Sequence, residues 1–344
     1  MTKPRQKGEE IRKFILNNVT HHSKDIAALT AKTFGISRQA VNKHVHYLVE
    51  QKALLAHGST RSRSYSLQAL EKWTHSYTLN HTLEEHVVWQ QDISPKLGQL
   101  PDNVIDIWHY GFTEMLNNAI DHSAGEKVEV FLERTATSAE IIIRDNGEGI
   151  FKKIQRELGL IDERQALLEL AKGKLTTDPD NHSGEGIFFS SRLFDSFWIV
   201  SGNVFFDHRH EQEVDWLEET EFAMSGTTVS MKLNNNTART AKQIFDEYSD
   251  EDYNFAKTVV PVRLAQYGHE KLISRSQAKR LLARIDRFKI VIFDFDGVEI
   301  IGQAFADEVF RVFKKQHPEI DLCHRNASKE VQQMISRAET KLES

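Results

Sequence analysis

Three stripes of apolar residues at helical spacing open the chain. Ile11, Phe14, Ile15 and Leu16 predict a helix over Gly8–Leu16. Ile26, Ala27, Leu29 and Ala31 predict a second over Lys24–Phe34, with Ser23 as its N-cap and Gly35 as its stop. Ala40, Val41, Val45, Leu48 and Val49 predict a third over Arg38–Gln51, capped by Ser37. From Leu54 to Leu67, apolar ends flank a Gly-Ser-Thr tip, which reads as a β-hairpin. A helix-like stretch, Thr82–Gln91, follows. Met115, Leu116, Ala119 and Ile120 then give residues 114–123 a helical apolar face. Further on, Glu140–Arg144 reads as a buried strand, Phe188–Phe194 as a helix and Val229–Leu233 as a strand. A charged stretch, 246–252, reads as a linker or exposed helix. Beyond it a small α/β unit is expected: a strand over Phe255–Leu264, a helix over Ser274–Ile285 with Ser274 as cap, a strand over Phe288–Phe295 apolar enough to be central, and a helix over Gln303–Lys314. Residues 325–344 are polar and expected to fray.

The chain has 344 residues, so two or three domains are expected. Its 40% hydrophobic and 27% charged content is that of a globular protein. The single cysteine, Cys323, excludes an internal disulfide framework and fits a reducing compartment. The first ten residues lack the apolar core of a signal peptide, and no apolar run reaches membrane-spanning length. A cytoplasmic protein with no membrane partner is expected. The net charge of −6 is unevenly spread. Residues 1–70 hold 12 lysines and arginines against 4 acids, a charge of +8, whereas the other 274 hold 32 against 46, a charge of −14. A basic head on an acidic body suggests that the head meets an acidic partner.

Candidate chemistry clusters between residues 114 and 229. Glu114, Asn118 and Asp121 stand at i, i+4 and i+7, one polar stripe of the predicted helix. The Asn118 oxygen suits the oxygen-rich shell of a phosphate-bound Mg²⁺, and Glu114 suits a general base. Asp145, with Gly147 and Gly149 after it, ends the strand over Glu140–Arg144. Such a turn lets backbone approach a flat ligand, and Asp145 can accept a hydrogen bond from an exocyclic amine such as that of adenine. Gly184 and Gly186 open a helix whose free N–H groups suit phosphate. Gly226-Thr227 opens a strand, with the Thr227 hydroxyl in support of the adenine contact.

Each piece alone is an ordinary turn or helix start. In this order, over about a hundred residues, they resemble the GHKL ATPase superfamily of gyrase-type topoisomerases, mismatch-repair ATPases, histidine kinases and anti-sigma serine kinases. Glu114, Asn118 and Asp121 match the N box; Asp145, Gly147 and Gly149 the G1 box; Gly184 and Gly186 the G2 box; Gly226-Thr227 a G3-like turn. The resemblance implies an ATP–Mg²⁺ site on an α/β sandwich, with a mobile lid over residues 151–183. Lys172 and Lys174 then reach toward phosphates, with solvated lid lysines as the plainer alternative. Many histidine kinases carry Asn where this chain has Glu114, which favours hydrolysis or transfer to a hydroxyl. His81 and His86 precede the region, but no four-helix dimerisation hairpin surrounds them.

The head resembles the winged helix-turn-helix of transcription regulators, through Ile36-Ser-Arg-Gln-Ala-Val-Asn-Lys-His-Val45. That likeness implies DNA as partner, with Arg38, Gln39, Asn42, Lys43 and His46 facing the major groove and Arg61 and Arg63 gripping the backbone or minor groove; the plainer alternative is a winged helix used for protein contacts, its basic residues solvated. In the tail, Phe293-Asp-Phe-Asp-Gly297 suggests a phosphatase signature, but the 47 residues after it cannot supply that family's other motifs. The tail is more similar to STAS-like regulatory domains, through Ile300-Ile-Gly-Gln-Ala-Phe305, where no Ser or Thr stands for phosphorylation. The expected fold class is therefore multidomain α+β: a winged helix (1–70), a connecting helix (71–94), a GHKL α/β sandwich (Bergerat-type ATP fold, 95–235), a linker (236–254), a small STAS-like α/β domain (255–330) and a polar tail (331–344). The expected function is an ATP-binding, slowly ATP-hydrolysing regulator that couples nucleotide state to DNA binding, with a protein partner for the STAS-like domain and a homodimer as the assembly considered. The alternatives are a protein serine/threonine kinase of the anti-sigma type, a module that holds nucleotide without hydrolysing it, and a nucleotide sensor in stress or phage defence.

Overall fold

The computed structural model describes residues 3–59, 62–80, 82–175, 184–210, 214–266 and 270–343, with side chains left aside at 3–5, 214–223 and 341–343. The first unit holds helices α1 (Lys3–Asn18), α2 (Ile26–Phe34) and α3 (Arg38–Glu50) and an antiparallel hairpin, β1 (Leu54–His57) with β2 (Ser64–Leu67). Its apolar stripes converge: Ile11, Ile15, Ile26, Val41, Val45, Leu48 and Leu54 form one cluster of their own. Gly35 ends α2 in the left-handed region and the Ser37 hydroxyl accepts from the Ala40 N–H, as expected. Two details differ. α1 begins earlier than the apolar stripe, and Asp25, not Ser23, stands at the N-cap of α2, without a side-chain cap bond.

The middle unit is a five-stranded antiparallel sheet in the order β3-β4-β5-β7-β6, formed by β3 (Glu71–Thr78), β4 (Lys127–Arg134), β5 (Ser138–Asp145), β6 (Ser196–Arg209) and β7 (Val214–Asn234). Between β3 and β4 run α4 (Glu85–Val88), a π-turn, α5 (Ser94–Leu97) and the long α6 (Asp102–His122). α7 (Ile150–Leu158), α8 (Glu163–Lys172) and α9 (Gly186–Leu193) follow β5, and α10 (Ala241–Tyr248) follows β7. α6 buries Val104, Ile107, Trp108, Phe112, Met115 and Ala119 at helical spacing against the sheet. The strands β4 and β5 alternate, so Val128, Val130 and Leu132, and Ala139, Ile141 and Ile143, face the helices.

Two expectations fail here. The connecting helix over 71–94 is strand β3 in its first part. β3 is an edge strand, half exposed, and its Trp73, His75 and Tyr77 alternate with polar residues instead of forming an apolar run. The linker over 236–254 contains α10, which buries Ile244 and Tyr248 and sets Phe245 against Tyr110 with ring centroids 5.2 Å apart.

The C-terminal unit is a three-stranded parallel sheet, β10-β9-β8, built from β8 (Lys257–Pro261), β9 (Ile290–Asp294) and β10 (Asp321–Arg325), with β9 central as its apolar run predicts. α11 (Arg275–Leu282), α12 (Gln303–Asp307) with a π-turn after it, α13 (Lys314–Gln316) and α14 (Lys329–Glu343) cover it. Ser274 and Gln277 make a reciprocal capping box on α11. The expected polar tail is in fact α14, held by Val331, Ile335 and Ala338 at i, i+4 and i+7. The hydrophobic cluster of the middle unit runs without a break into this C-terminal sheet. Two separate cores therefore serve the described residues, not one per expected domain.

Candidate functional site

Strand alternation builds one wall of a cavity with both polar and apolar lining. On β5 the inward face runs Ala139, Ile141, Ile143 and then Asp145, so the acid continues an apolar face at the strand end. On β7, Thr227 and Val229 share that face, because Ile143 pairs with Val229 across the ladder. α6 forms a second wall through Glu114, Asn118 and Ala119, and α7 contributes Ile150, Lys153 and Ile154. The start of α9, with Gly184 before it, and the segment Leu170–Leu175 complete a cavity of about 270 Å³. Ligand pockets commonly start at roughly 300 Å³, with apolar walls and a few placed polar groups.

Asp145 is 6% exposed, and its Oδ1 accepts from the backbone N–H of Gly147 at 2.8 Å and of Thr227 at 3.2 Å. Burial pushes its carboxyl above the ordinary value, against the pull of those two donors. The Thr227 hydroxyl in turn accepts from the Ile150 N–H at 3.0 Å, which ties the strand end to α7. Gly147 passes so close to Ser123 that a Cβ would lie 2.0 Å from the Ser123 carbonyl oxygen. A Cβ at Gly186 would lie 2.0 Å from Glu114 Oε2, so the carboxylate sits directly against the start of α9. Burial, with Glu114 and Glu185 nearby, pushes the Tyr110 phenol well above its ordinary value.

The sequence-derived residues separate as follows. Glu114, Asn118, Asp145, Gly184, Gly186 and Thr227 line the one cavity. Gly147 and Gly149 shape the turn behind Asp145 without lining it. Asp121 is exposed and lies outside the lining: Asn118 and His122 stand to one side of Glu114 on the helix and Asp121 to the other. Lys174 does not line the cavity: its amine donates to the Arg287 carbonyl at 3.0 Å, in the C-terminal unit. Lys172 likewise turns away, 1% exposed and bonded to Glu169 at 2.9 Å. The lysine that does line the cavity is Lys153, whose amine donates to the His122 carbonyl at 3.0 Å. No motif marks it; only its place in the first turn of α7, after the Asp145 turn, could have pointed there. Residues 176–183, part of the expected lid, lie outside the described residues.

Asn118 lines the cavity, and its carboxamide oxygen is a donor type that fits a hard divalent cation. No group of three or more His, Cys, Asp or Glu that could hold a metal ion occurs among the described residues.

In the first unit, Arg38, Gln39, Asn42, Lys43 and His46 are all exposed on α3, opposite the buried Val41, Val45 and Leu48. Arg63 is exposed beside the hairpin, while Arg61 lies outside the described residues. A second cavity, about 100 Å³, lies between the middle and C-terminal units and includes Arg192, His208, Asp294, Asp296 and Arg325. Asp294 there is a structural anchor. Its Oδ2 pairs with Arg325 at 2.9 Å, and its Oδ1 accepts from Asn326 and from the Asp296 N–H, each at 3.0 Å. No helix of the described residues is long and apolar enough to cross a membrane.

Comparison with known families falls on the same segments. Residues 83–204 match the histidine kinase-like ATPase domain. Residues 277–332 match a STAS-like domain of unknown function. No curated protein matches the chain significantly. The chain thus carries a GHKL-like domain within a mixed α/β, multidomain protein, and a domain of that kind implies nucleotide binding, usually with Mg²⁺.

Proposed function

We propose that the protein is an ATP-binding, slowly hydrolysing regulator whose nucleotide state controls DNA binding by the first unit. The observation that carries the reading is the convergence of Glu114, Asn118, Asp145, Gly186 and Thr227 on one cavity within the ATPase-like segment. Two backbone donors hold Asp145 Oδ1, so Oδ2 is the oxygen that takes the adenine amine. Phosphates lie toward Gly184, Gly186 and the N–H groups opening α9. Lys153 is the lysine of this chain placed to face the ligand. Asn118 holds the Mg²⁺ jointly with the phosphates; when bound, that ion neutralises phosphate charge. Glu114 is the base for an attacking water.

The three helices and hairpin of the first unit act as a winged helix-turn-helix. What supports this is the alignment of five polar residues on the open face of α3 and the charge of +8 over residues 1–70. Calorimetric titration of the whole protein with a non-hydrolysable ATP analogue and Mg²⁺ tests the pocket; absence of heat sinks the reading. Gel-shift titration with mixed duplexes, with and without the analogue, tests the coupling, and identical DNA affinity in both states removes it.

A second reading, a protein kinase acting on a hydroxyl in trans, is favoured by the same Glu114. Incubation with γ-labelled ATP and cell lysate separates the two. Label on protein supports the kinase, and release of phosphate alone supports the switch.

A further inference from the structure

The segment that roots the expected lid is not free: it is gripped by the C-terminal unit. α8 is buried from Ala166 to Lys172, because α7, α9 and β6 of the middle unit pack against it on one side and β8 with the turn after it on the other. The Lys172 amine donates to the carbonyls of Ala283 at 2.8 Å and Arg280 at 3.3 Å, the last carbonyls of α11. A buried cation thus caps a helix C-terminus in another unit. Glu169 pairs with that amine and lies 3.5 Å from the Arg284 guanidinium. The Lys172 carbonyl accepts from the Thr258 hydroxyl of β8 at 2.6 Å. One step on, Lys174 and Arg287 bond reciprocally, each side chain to the other's carbonyl, at 3.0 and 2.9 Å. Between them, Gly173 has φ of +82°, and a Cβ there would lie 2.8 Å from Phe255 and 2.9 Å from Phe188. Phe188 belongs to the cavity wall and Phe255 leads into β8; their rings are 4.6 Å apart.

The same few residues face the cavity. Leu170 and Leu175 line it, and the Leu175 N–H donates to the Gly184 carbonyl at 3.1 Å. Residues 172 and 174 therefore point into the C-terminal unit while 170 and 175 form the pocket wall. A Lys–Glu pair this deeply buried is stable only while its partners are in place; exposed, it gains little.

We propose that the C-terminal unit is a built-in clamp on the lid root. Its docking on Lys172–Leu175 holds Leu170 and Leu175 against the nucleotide, so docking and nucleotide binding strengthen each other. This rests on the nucleotide reading of the cavity. By linkage, bound nucleotide tightens docking by the same factor as docking tightens nucleotide binding, so a variant that lowers the docked population lowers affinity. The nucleotide state is then reported to the STAS-like unit through covalent continuity and one shared core.

The test uses the full chain with Thr258→Val and Arg287→Ala combined, which removes one buried and one exposed clamp bond without touching the cavity. Hydrogen exchange without nucleotide should show amides of 163–175 opening about tenfold or more faster. Calorimetry with the non-hydrolysable ATP analogue and Mg²⁺ should show affinity about 5- to 30-fold weaker, within the usual range of coupling. In the wild type, the analogue should slow exchange across 255–290. Faster exchange with unchanged affinity overturns the linkage, and unchanged exchange overturns the clamp itself. A wild type that binds no analogue sinks the nucleotide reading and the linkage, while the exchange comparison still decides whether the clamp exists. If the double variant does not fold, Arg287→Ala alone, at an exposed side chain, carries the same measurements.

Discussion

Asp145→Asn separates the role of this residue in the fold from its role toward a ligand. The wild-type Oδ1 accepts two backbone donors at a site 6% exposed. Asparagine keeps an oxygen in that place, so both bonds survive and the stability change should stay within about 1 kcal/mol. Only the second oxygen becomes an NH₂. A charge-assisted acceptor worth about 1.5–3 kcal/mol is lost, and a donor now opposes the adenine amine at a further cost of about 1–3 kcal/mol. Together, about 2.5–6 kcal/mol corresponds to a loss of roughly 10²- to 10⁴-fold in affinity for the ATP analogue. Inosine triphosphate carries a carbonyl where adenine has the amine, so the variant should prefer it over ATP. Asp145→Ala makes the contrast: two buried N–H groups lose their acceptor, at about 1–3 kcal/mol each, out of a typical 5–15 kcal/mol of total stability. Calorimetry with both nucleotides and urea unfolding of both variants supply the numbers. An asparagine variant that binds ATP as the wild type does, or that keeps the wild-type preference, refutes the purine contact.

Three further outcomes are expected. Glu114→Gln should leave analogue affinity near wild type and lower phosphate release by about 10²- to 10⁴-fold; full turnover would remove Glu114 as base. Burial raises the Asp145 pKa above 3.8, so the ionised form is lost earlier on acidification than for an ordinary aspartate. Analogue affinity should therefore fall as pH drops through that raised value, and Asp145→Asn should flatten the profile there. For stability the sign is opposite: the folded state holds this proton more tightly, so the group's contribution falls as pH rises from 3.8 through the raised value. Lys43→Ala, if Lys43 meets a phosphate, should weaken DNA binding about equally across sequences and reduce the salt slope by about one, whereas Arg38→Ala should weaken it in a sequence-dependent way; no change in either would remove α3 as the reading helix.

Much of the cavity was legible because its chemistry is local. Glu114 and Asn118 are one helical turn apart, so the 3.6-residue period alone puts them on one wall. Asp145 follows an alternating apolar strand, and the period of two puts it on the inner face. The same period could not exclude Asp121, since the tertiary arrangement sets the wall on the Asn118 and His122 side of Glu114 and Asp121 falls on the other side. β3 escaped notice because an edge strand needs only one apolar face, and Trp73, His75 and Tyr77 spread theirs among polar residues. α14 was readable in principle from Val331, Ile335 and Ala338, but its polar majority outweighed that stripe.

The sequence by itself determined the three helices and hairpin of the first unit, the central strand of the C-terminal unit, the polar stripe on α6, the acid at the end of β5 and the basic face of α3. All of these depend on neighbours within a few residues, through backbone period and capping. Only the tertiary structure decided where Lys172 and Lys174 point, that Lys153 lines the cavity, and that the middle and C-terminal units share one core. A lysine's spacing gives its face on a helix but not what covers that face. Here the covering surface is assembled from α11, β8 and Phe288, more than eighty residues away in the chain, and these contacts hold both lysines against the C-terminal unit.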